Sequence, residues 1–231
     1  MTNTTNPTNS YTVPSVSIAT AHTGASSKAN ELGMRTMQER AYTKRGEQYL
    51  LIKSPPASGK SRALMFIALD KLHNQNLQQA IVIVPERSIG GSFADEPLSQ
   101  HGFYWDWVVA PQWNLCNAPG IDEPRVAKSK VDAVRAFLDS SDKVLVCTHA
   151  TFRFAVEELG IDAFDNRLIA IDEFHHVSAN PDNKLGSQLS AFINRDKVHL
   201  VAMTGSYFRG DSAAVLAPSE ENKFETVTYT Y

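Results

Sequence analysis

Only two cysteines, Cys116 and Cys147, occur in 231 residues, so there is no material for a disulfide framework. Cys147 lies in the apolar run from Val144 to Thr148, which reads as a buried strand. Long apolar runs are missing too. Stretches such as Ile81–Val84 and Leu168–Ile171 fall far short of the roughly 20 residues that a membrane-crossing helix needs. The first residues are rich in Thr, Asn and Ser and have neither the basic cluster nor the apolar stretch of a secretory signal. These absences predict a cytoplasmic chain with no membrane partner. An excess of positive charge is also lacking: the formal net charge is −3, which removes the bulk-charge argument for nucleic-acid binding. Between Arg35 and Lys71, however, there are eight Lys/Arg against three Asp/Glu, enough for a local positive surface.

What is present is apolar residue content of 42%, sufficient for the core of one large α/β domain. Residues 1–29 have almost no charge or periodicity and read as a flexible N-terminal arm; residues 30–231 read as the domain. Leu32, Met34, Met37 and Ala41 recur at helical spacing. Strands are predicted at Tyr49–Lys53, Ala80–Val84, Trp107–Ala110, Lys143–Cys147, Arg167–Ile171 and Val198–Met203. Helices are predicted at Gly59–His73 and over residues 125–138, 150–158 and 185–194. The tail from Phe224 alternates like one more strand. Short, nearly all-apolar strands alternating with helices predict a mostly parallel sheet covered on both faces. The aromatic stretch from Gly91 to Pro124 is read as core filler under a long excursion, not as a base-stacking platform.

Two motifs carry chemistry. Ser54-Pro-Pro-Ala-Ser-Gly-Lys-Ser61 stands between a predicted strand and a predicted helix and has the length and ending of a phosphate-binding loop. Main-chain N–H groups of such a turn converge on an anion, the helix start adds positive potential, and Lys60 supplies a point charge. Pro56, Ala57, Ser58, Gly59, Lys60 and Ser61, with Arg62 next on the helix, are therefore the expected nucleotide contacts. The Ser61 hydroxyl is placed to bind magnesium. Ser54 stands where the usual pattern has Gly, so only Gly59-Lys60-Ser61 matches it in full. The second motif is the apolar strand Leu168–Ile171 running into Asp172 and Glu173. Carboxylates at the carboxyl end of a parallel strand face the crevice where such sheets bind ligands. Phosphoryl transfer to water needs one carboxylate at the metal and a group that orients the water. Asp172 suits the first role and Glu173 the second. His149, His175 and His176 have no zinc-like spacing and are read as cleft histidines.

With both motifs in place, the chain resembles the first RecA-like domain of superfamily-two helicases and translocases of the DEAD/DEAH type. Asp172-Glu173-Phe174-His175 differs from the DEAH spelling only at Phe174. The resemblance implies a RecA-like P-loop NTPase fold that uses ATP and Mg²⁺. Arg35-Thr-Met-Gln38 is similar to the Q motif, so Arg35 and Gln38 are expected at the nucleotide, with Gln38 reading the adenine edge. Val84-Pro-Glu-Arg-Ser88 resembles motif Ia, and Val146-Cys-Thr-His-Ala-Thr151 resembles the Ib/Ic region. This implies that Arg87, Thr148 and His149 touch nucleic acid. Met203-Thr-Gly-Ser206 falls at motif III, with Gly205 where Ala is more usual; Thr204 and Ser206, with His175 bonding toward them, are implied to couple hydrolysis to strand movement. Arg209 and Asp211 follow that loop and either line the cleft or pair on the surface.

Helicases of this kind have a second RecA-like domain that supplies arginine fingers. The chain ends about 25 residues after Ser206, so that domain is expected outside it, in cis or in trans. An arginine finger contributes about 10³–10⁵ in rate, and the isolated domain is accordingly expected to bind Mg-ATP but turn it over very slowly. The DEAH-like spelling favours DNA over RNA as partner, with a nuclease as a possible associate. Two other classes fit part of the pattern: a phosphate-loop ATPase with no nucleic-acid role, and a nucleotide-gated binding module.

Overall fold

The computed structural model describes residues 29–117, 124–177, 184–205 and 216–230. Among them six short strands, β1 (Tyr49–Lys53), β2 (Ala80–Val84), β3 (Val144–Thr148), β4 (Leu168–Ile171), β5 (His199–Thr204) and β6 (Glu225–Thr228), form one sheet in the order β3-β2-β4-β5-β1-β6. Every pairing is parallel. The connecting helices are α1 (Thr36–Tyr42), α2 (Lys60–Asn74), α3 (Pro124–Asp139), α4 (His149–Leu159), α5 (Lys184–Arg195) and α6 (Pro218–Glu221). The α/β, mostly parallel, doubly covered sheet expected from the sequence is therefore the one observed.

Alternation along each strand sends side chains to two separate cores, the geometric consequence of a two-residue period. Leu50, Ile52, Val82, Val84, Val146, Val201 and Met203 pack with Met37 and Ala41 of α1, Phe66 of α2, and the excursion residues Phe93, Phe103 and Trp107. Leu51, Ile83, Cys147, Ile171 and Ala202 face the opposite way, onto Val134 of α3, Phe152 of α4 and Phe192 of α5. Because both faces are buried, the strands read as continuous apolar runs. The register decides what meets at the carboxyl edge: Lys53 of β1 lies beside Thr204 of β5, and Ile171 of β4 beside Ala202. The turns that follow β1, β4 and β5 are thereby neighbours.

Two local expectations are corrected. Trp107–Ala110 is not a strand. It makes a single antiparallel bridge, Trp107 with Glu96, because Leu98 turns into a 3₁₀ segment and the Val109 N–H is taken by Asp95 Oδ1 at 2.9 Å. Trp107 is instead a fully buried plug whose Nε1 donates to the Phe93 oxygen at 3.1 Å. The first helix starts at Thr36, not near Leu32. Asn30 Oδ1 accepts the N–H groups of Leu32 and Met34 and Gly33 is left-handed, so this segment is a turn although Met34 is buried. The arm expected over residues 1–29 lies, except for Ala29, outside the described residues, as do Ser206, Arg209 and Asp211. Within the excursion, Phe93, Phe103 and Trp107 are buried, whereas Tyr104 and Trp105 are each more than a third exposed.

Candidate nucleotide site

The segment Ser54–Gly59 leaves β1 and turns back into α2. Its two sharpest residues are left-handed, Ala57 at φ 61° and Gly59 at φ 90°. At Gly59 a side chain is excluded twice over: φ suits glycine, and a Cβ would lie 2.5 Å from Gln38 Nε2. Ser54, which occupies the position of the usual first Gly, is not among the left-handed residues. It is fully buried, its N–H donates to the Thr204 oxygen at 3.1 Å, and its hydroxyl donates to Ser58 Oγ at 2.5 Å. The serine thus ties the turn to β5 and braces it internally.

Lys60 is buried and its Nζ donates to the oxygens of Ser54 and Pro55, each at 3.2 Å. Burial pushes its pKa down, against the pull of Glu173 and Asp172 upward. The ammonium is folded back over its own loop within the field of both carboxylates. Gly205 closes this space from β5: a Cβ there would lie 3.4 Å from Lys60 Nζ and 3.6 Å from Pro56.

Asp172 and Glu173 follow β4. The Asp172 N–H continues the ladder onto the Ile83 oxygen at 2.9 Å, which fixes the carboxylate at the sheet edge. Asp172 is buried, and desolvation, reinforced by Glu173, raises its pKa to about 6; the Glu173 N–H to Oδ1 at 3.0 Å and Lys60 oppose that rise. Glu173 is left-handed at φ 48°, a conformation that turns its side chain away from the line of the strand. Its Oε2 lies 3.2 Å from His175 Nδ1, and the same nitrogen lies 3.2 Å from Thr204 Oγ1. His175 therefore links the carboxylate turn to the end of β5, as the sequence reading expected. His149, at the head of α4, places Nε2 3.1 Å from the Asp172 main-chain oxygen.

The remaining candidates are distributed around this centre. Gln38 is buried, with Nε2 donating to the Gly59 oxygen at 3.2 Å and Oε1 accepting the Arg35 N–H at 2.9 Å; Arg35 itself is exposed. Arg62 is engaged by Glu96 at 2.9 Å and by the Gly33 oxygen at 2.7 Å, joining α2 to the turn before α1 and to the excursion. Ser61 is partly exposed at the start of α2. Thr148 is buried and caps α4, its hydroxyl accepting the Thr151 N–H at 3.2 Å. Arg87 is exposed beyond β2, with Nε donating to the Cys116 oxygen at 2.9 Å. The contributions of Ser54, Glu96 and Gly205 are absent from the sequence reading, since each depends on a partner far along the chain.

The sequence profile of the DEAD/DEAH box helicase family matches residues 35–210, a span that contains every element just described from the Arg35 turn to Thr204. The chain belongs to the DEAD/DEAH box helicase family. A protein of Bacillus subtilis (strain 168), "Putative ATP-dependent helicase YeeB", is 56% identical over 209 residues, which are 90% of this chain and 34% of that protein. The chain spans about a third of that relative's length. Among solved structures, the Pyrococcus furiosus Hef helicase domain aligns with a TM-score of 0.52 at 17% identity, over 83% of this chain and 37% of that one. The helicase MrfA bound to DNA and AMPPNP aligns with a TM-score of 0.52 at 14% identity, over 86% and 27%. At such identities these likenesses bear on the fold alone, and they agree with a RecA-like helicase lobe. No helix among the described residues is long and apolar enough to cross a membrane.

Proposed function

We propose that this DEAD/DEAH box domain is the ATP-binding lobe of a cytoplasmic DNA helicase or translocase that hydrolyses ATP with Mg²⁺ when a second RecA-like lobe, in cis or in trans, closes on it. The observation that carries the reading is the position of the Lys60 ammonium. It is held by two loop oxygens at 3.2 Å in the field of Asp172 and Glu173. An incoming triphosphate offers it stronger, charged acceptors than those two neutral oxygens. The N–H groups of residues 57–61 then receive the phosphates at the start of α2. Gln38, which bonds to the Gly59 oxygen of the phosphate turn, is assigned to the base together with Arg35 and Arg62.

No group of three or more His, Cys, Asp or Glu among the described residues could enclose a metal by itself. That suits magnesium, which in nucleotide sites takes one or two protein oxygens and completes its shell from phosphates and water. Asp172 and Ser61 supply oxygen donors of the right kind, and a divalent cation offsets the desolvation that raises the Asp172 pKa. When bound, the ion neutralises charge that develops on the phosphates. Glu173 orients the attacking water, and its link to His175 and Thr204 passes the state of the phosphates to β5. Ser206 is assigned to the same coupling loop.

The DEAH-like spelling of Asp172-Glu173-Phe174-His175 favours DNA over RNA as the partner; Arg87, Thr148 and His149 are the assigned contacts, and a nuclease is a compatible partner. Calorimetry of Mg-ATP with the wild type and Lys60→Ala, then ATPase rates with duplex DNA, single strands and RNA, tests the reading. Micromolar-to-millimolar binding lost in Lys60→Ala, with slow basal turnover, is expected. Turnover of several per second by this domain alone would refute its dependence on a second lobe, and binding unaffected by Lys60→Ala would refute the site.

A further inference from the structure

Arg62, the residue after Ser61 on α2, is held on several sides. Its Nε donates to Glu96 Oε1 at 2.9 Å and its Nη1 to the Gly33 oxygen at 2.7 Å. The guanidinium carbon stands 5.0 Å from the centre of the Phe66 ring. Glu96 reaches this point from a firm support. It exchanges two main-chain hydrogen bonds with Trp107, at 2.9 and 3.0 Å, and Trp107 is fully buried. The excursion also meets the turn before α1 directly, for a Cβ on Gly33 would lie 2.9 Å from the His101 ring.

The Gln38 amide keeps one donor and one acceptor in reserve as a result. Its Nε2 donates to the Gly59 oxygen at 3.2 Å, and the second N–H of that nitrogen has no partner among the described residues. Oε1 takes the Arg35 N–H at 2.9 Å on one lone pair. The other lone pair faces only Arg62 Nη1, at 3.4 Å, a separation at which a hydrogen bond is weak. Glu96 and Gly33 hold the guanidinium back. The side chains of Arg62 and Glu96 are 23% and 39% exposed, so the pair borders solvent beside the amide.

Resting on the assignment of Gln38 to the base made above, we infer that Glu96 makes the site choose adenine over guanine, as a positioning residue that acts through Arg62 on Gln38. Adenine offers the N7 acceptor beside the N6 amino donor, guanine the N7 acceptor beside the O6 acceptor. An amide with a donor and an acceptor in reserve pairs with the first; a guanidinium, which has donors only, pairs with the second. Both kinds of reader stand here within 3.4 Å of each other. The Glu96 carboxylate occupies the guanidinium, which keeps Arg62 from a guanine edge and from closing on the lone pair that adenine needs. None of the sequence motifs contains Glu96, which lies 34 residues from Arg62 along the chain.

Calorimetry of Mg-ATP and Mg-GTP with the wild type, Glu96→Gln, Glu96→Asp and Gln38→Ala tests this, with thermal melts of the same proteins. The wild type is expected to prefer ATP. Glu96→Gln should narrow that preference about tenfold, the worth of one base-edge pairing. It should melt within about 3 °C of the wild type, since an ion pair bordering solvent adds little stability. Glu96→Asp, which keeps the charge, should retain the preference. An unchanged ratio of ATP to GTP affinity in Glu96→Gln would overturn the inference; equal weakening of both nucleotides with a larger fall in Tm would do so by giving the pair a purely structural role. A preference lost in Gln38→Ala but kept in Glu96→Gln would overturn it and leave the base assignment standing. A wild type that binds both nucleotides alike would remove the base assignment and this inference with it, while leaving the phosphate site intact. A wild type that binds neither would remove all three.

Discussion

His149 donates from Nε2 to the main-chain oxygen of Asp172 at 3.1 Å. The donor heads α4 directly after β3 and the acceptor follows β4, so the outer strand of the sheet is tied to the carboxylate turn. A carbonyl can only accept, which places a proton on Nε2; burial, which lowers the His149 pKa to about 4 against the pull of this bond, keeps the ring neutral at pH 7. His149→Ala leaves that buried oxygen unpaired and is expected to cost about 1–3 kcal/mol in urea unfolding, with weaker Mg-ATP binding. His149→Gln, which keeps a donor, should recover part of the loss; equal stability of the Ala variant and wild type would dismiss the link.

Acid should loosen the fold through two histidines. Burial lowers the pKa of His149 and of His199 to about 4, and Lys71 Nζ donates to His199 Nδ1 at 2.9 Å, so that nitrogen must stay unprotonated. The unfolded chain titrates near 6.5. The stabilisation is therefore fully present above pH 6.5 and is lost as pH falls toward 4, up to about 3 kcal/mol per histidine. Asp172, raised to about 6, works oppositely: its protonation between pH 6 and 4 favours the folded state. Melting curves of the wild type and His199→Gln across pH 7 to 4 check the balance, and the variant should show the flatter profile.

Two glycines of the site should respond in opposite ways. Gly59 is left-handed and its Cβ would collide with Gln38, so Gly59→Ala should cost at least about 1–3 kcal/mol and abolish nucleotide binding. Gly205 has no positive φ, and its Cβ would make ordinary contacts with Lys60 and Pro56. Gly205→Ala is expected to fold with unchanged stability or a gain of up to about 1 kcal/mol. Thermal melts of the pair decide it.

Restoring the usual glycine at Ser54 should not help. Ser54→Gly removes the hydroxyl that bonds to the buried Ser58, at an expected cost of about 1–2 kcal/mol. The backbone bond from Ser54 to Thr204 survives, and Mg-ATP affinity should stay within about threefold. Affinity rising well beyond that would mean that serine impairs the phosphate loop.

Much of this was legible along the chain because the signals are local. An apolar run of about five residues, a Gly-Lys-Ser at a helix start and an acidic pair after a strand each announce themselves over a few residues. The approach of His175 to Thr204 was legible only through the order of motifs. Trp107–Ala110 misled because a strand needs a neighbour, and Asp95 and Leu98 divert the hydrogen bonds that a ladder would use. The turn before α1 misled because Asn30 captures N–H groups that a helix would have used.

The sequence by itself determined where the strands of the sheet, most of its helices and the phosphate turn form, since propensity, period and turn chemistry are properties of neighbours in the chain. Only the tertiary structure decided that β5 lies between β4 and β1. That order brings Thr204 against both Ser54 and His175, sets Gly205 under Lys60, and places His149 on Asp172. Strand order and register are settled by the joint burial of two cores, a condition that no single segment carries.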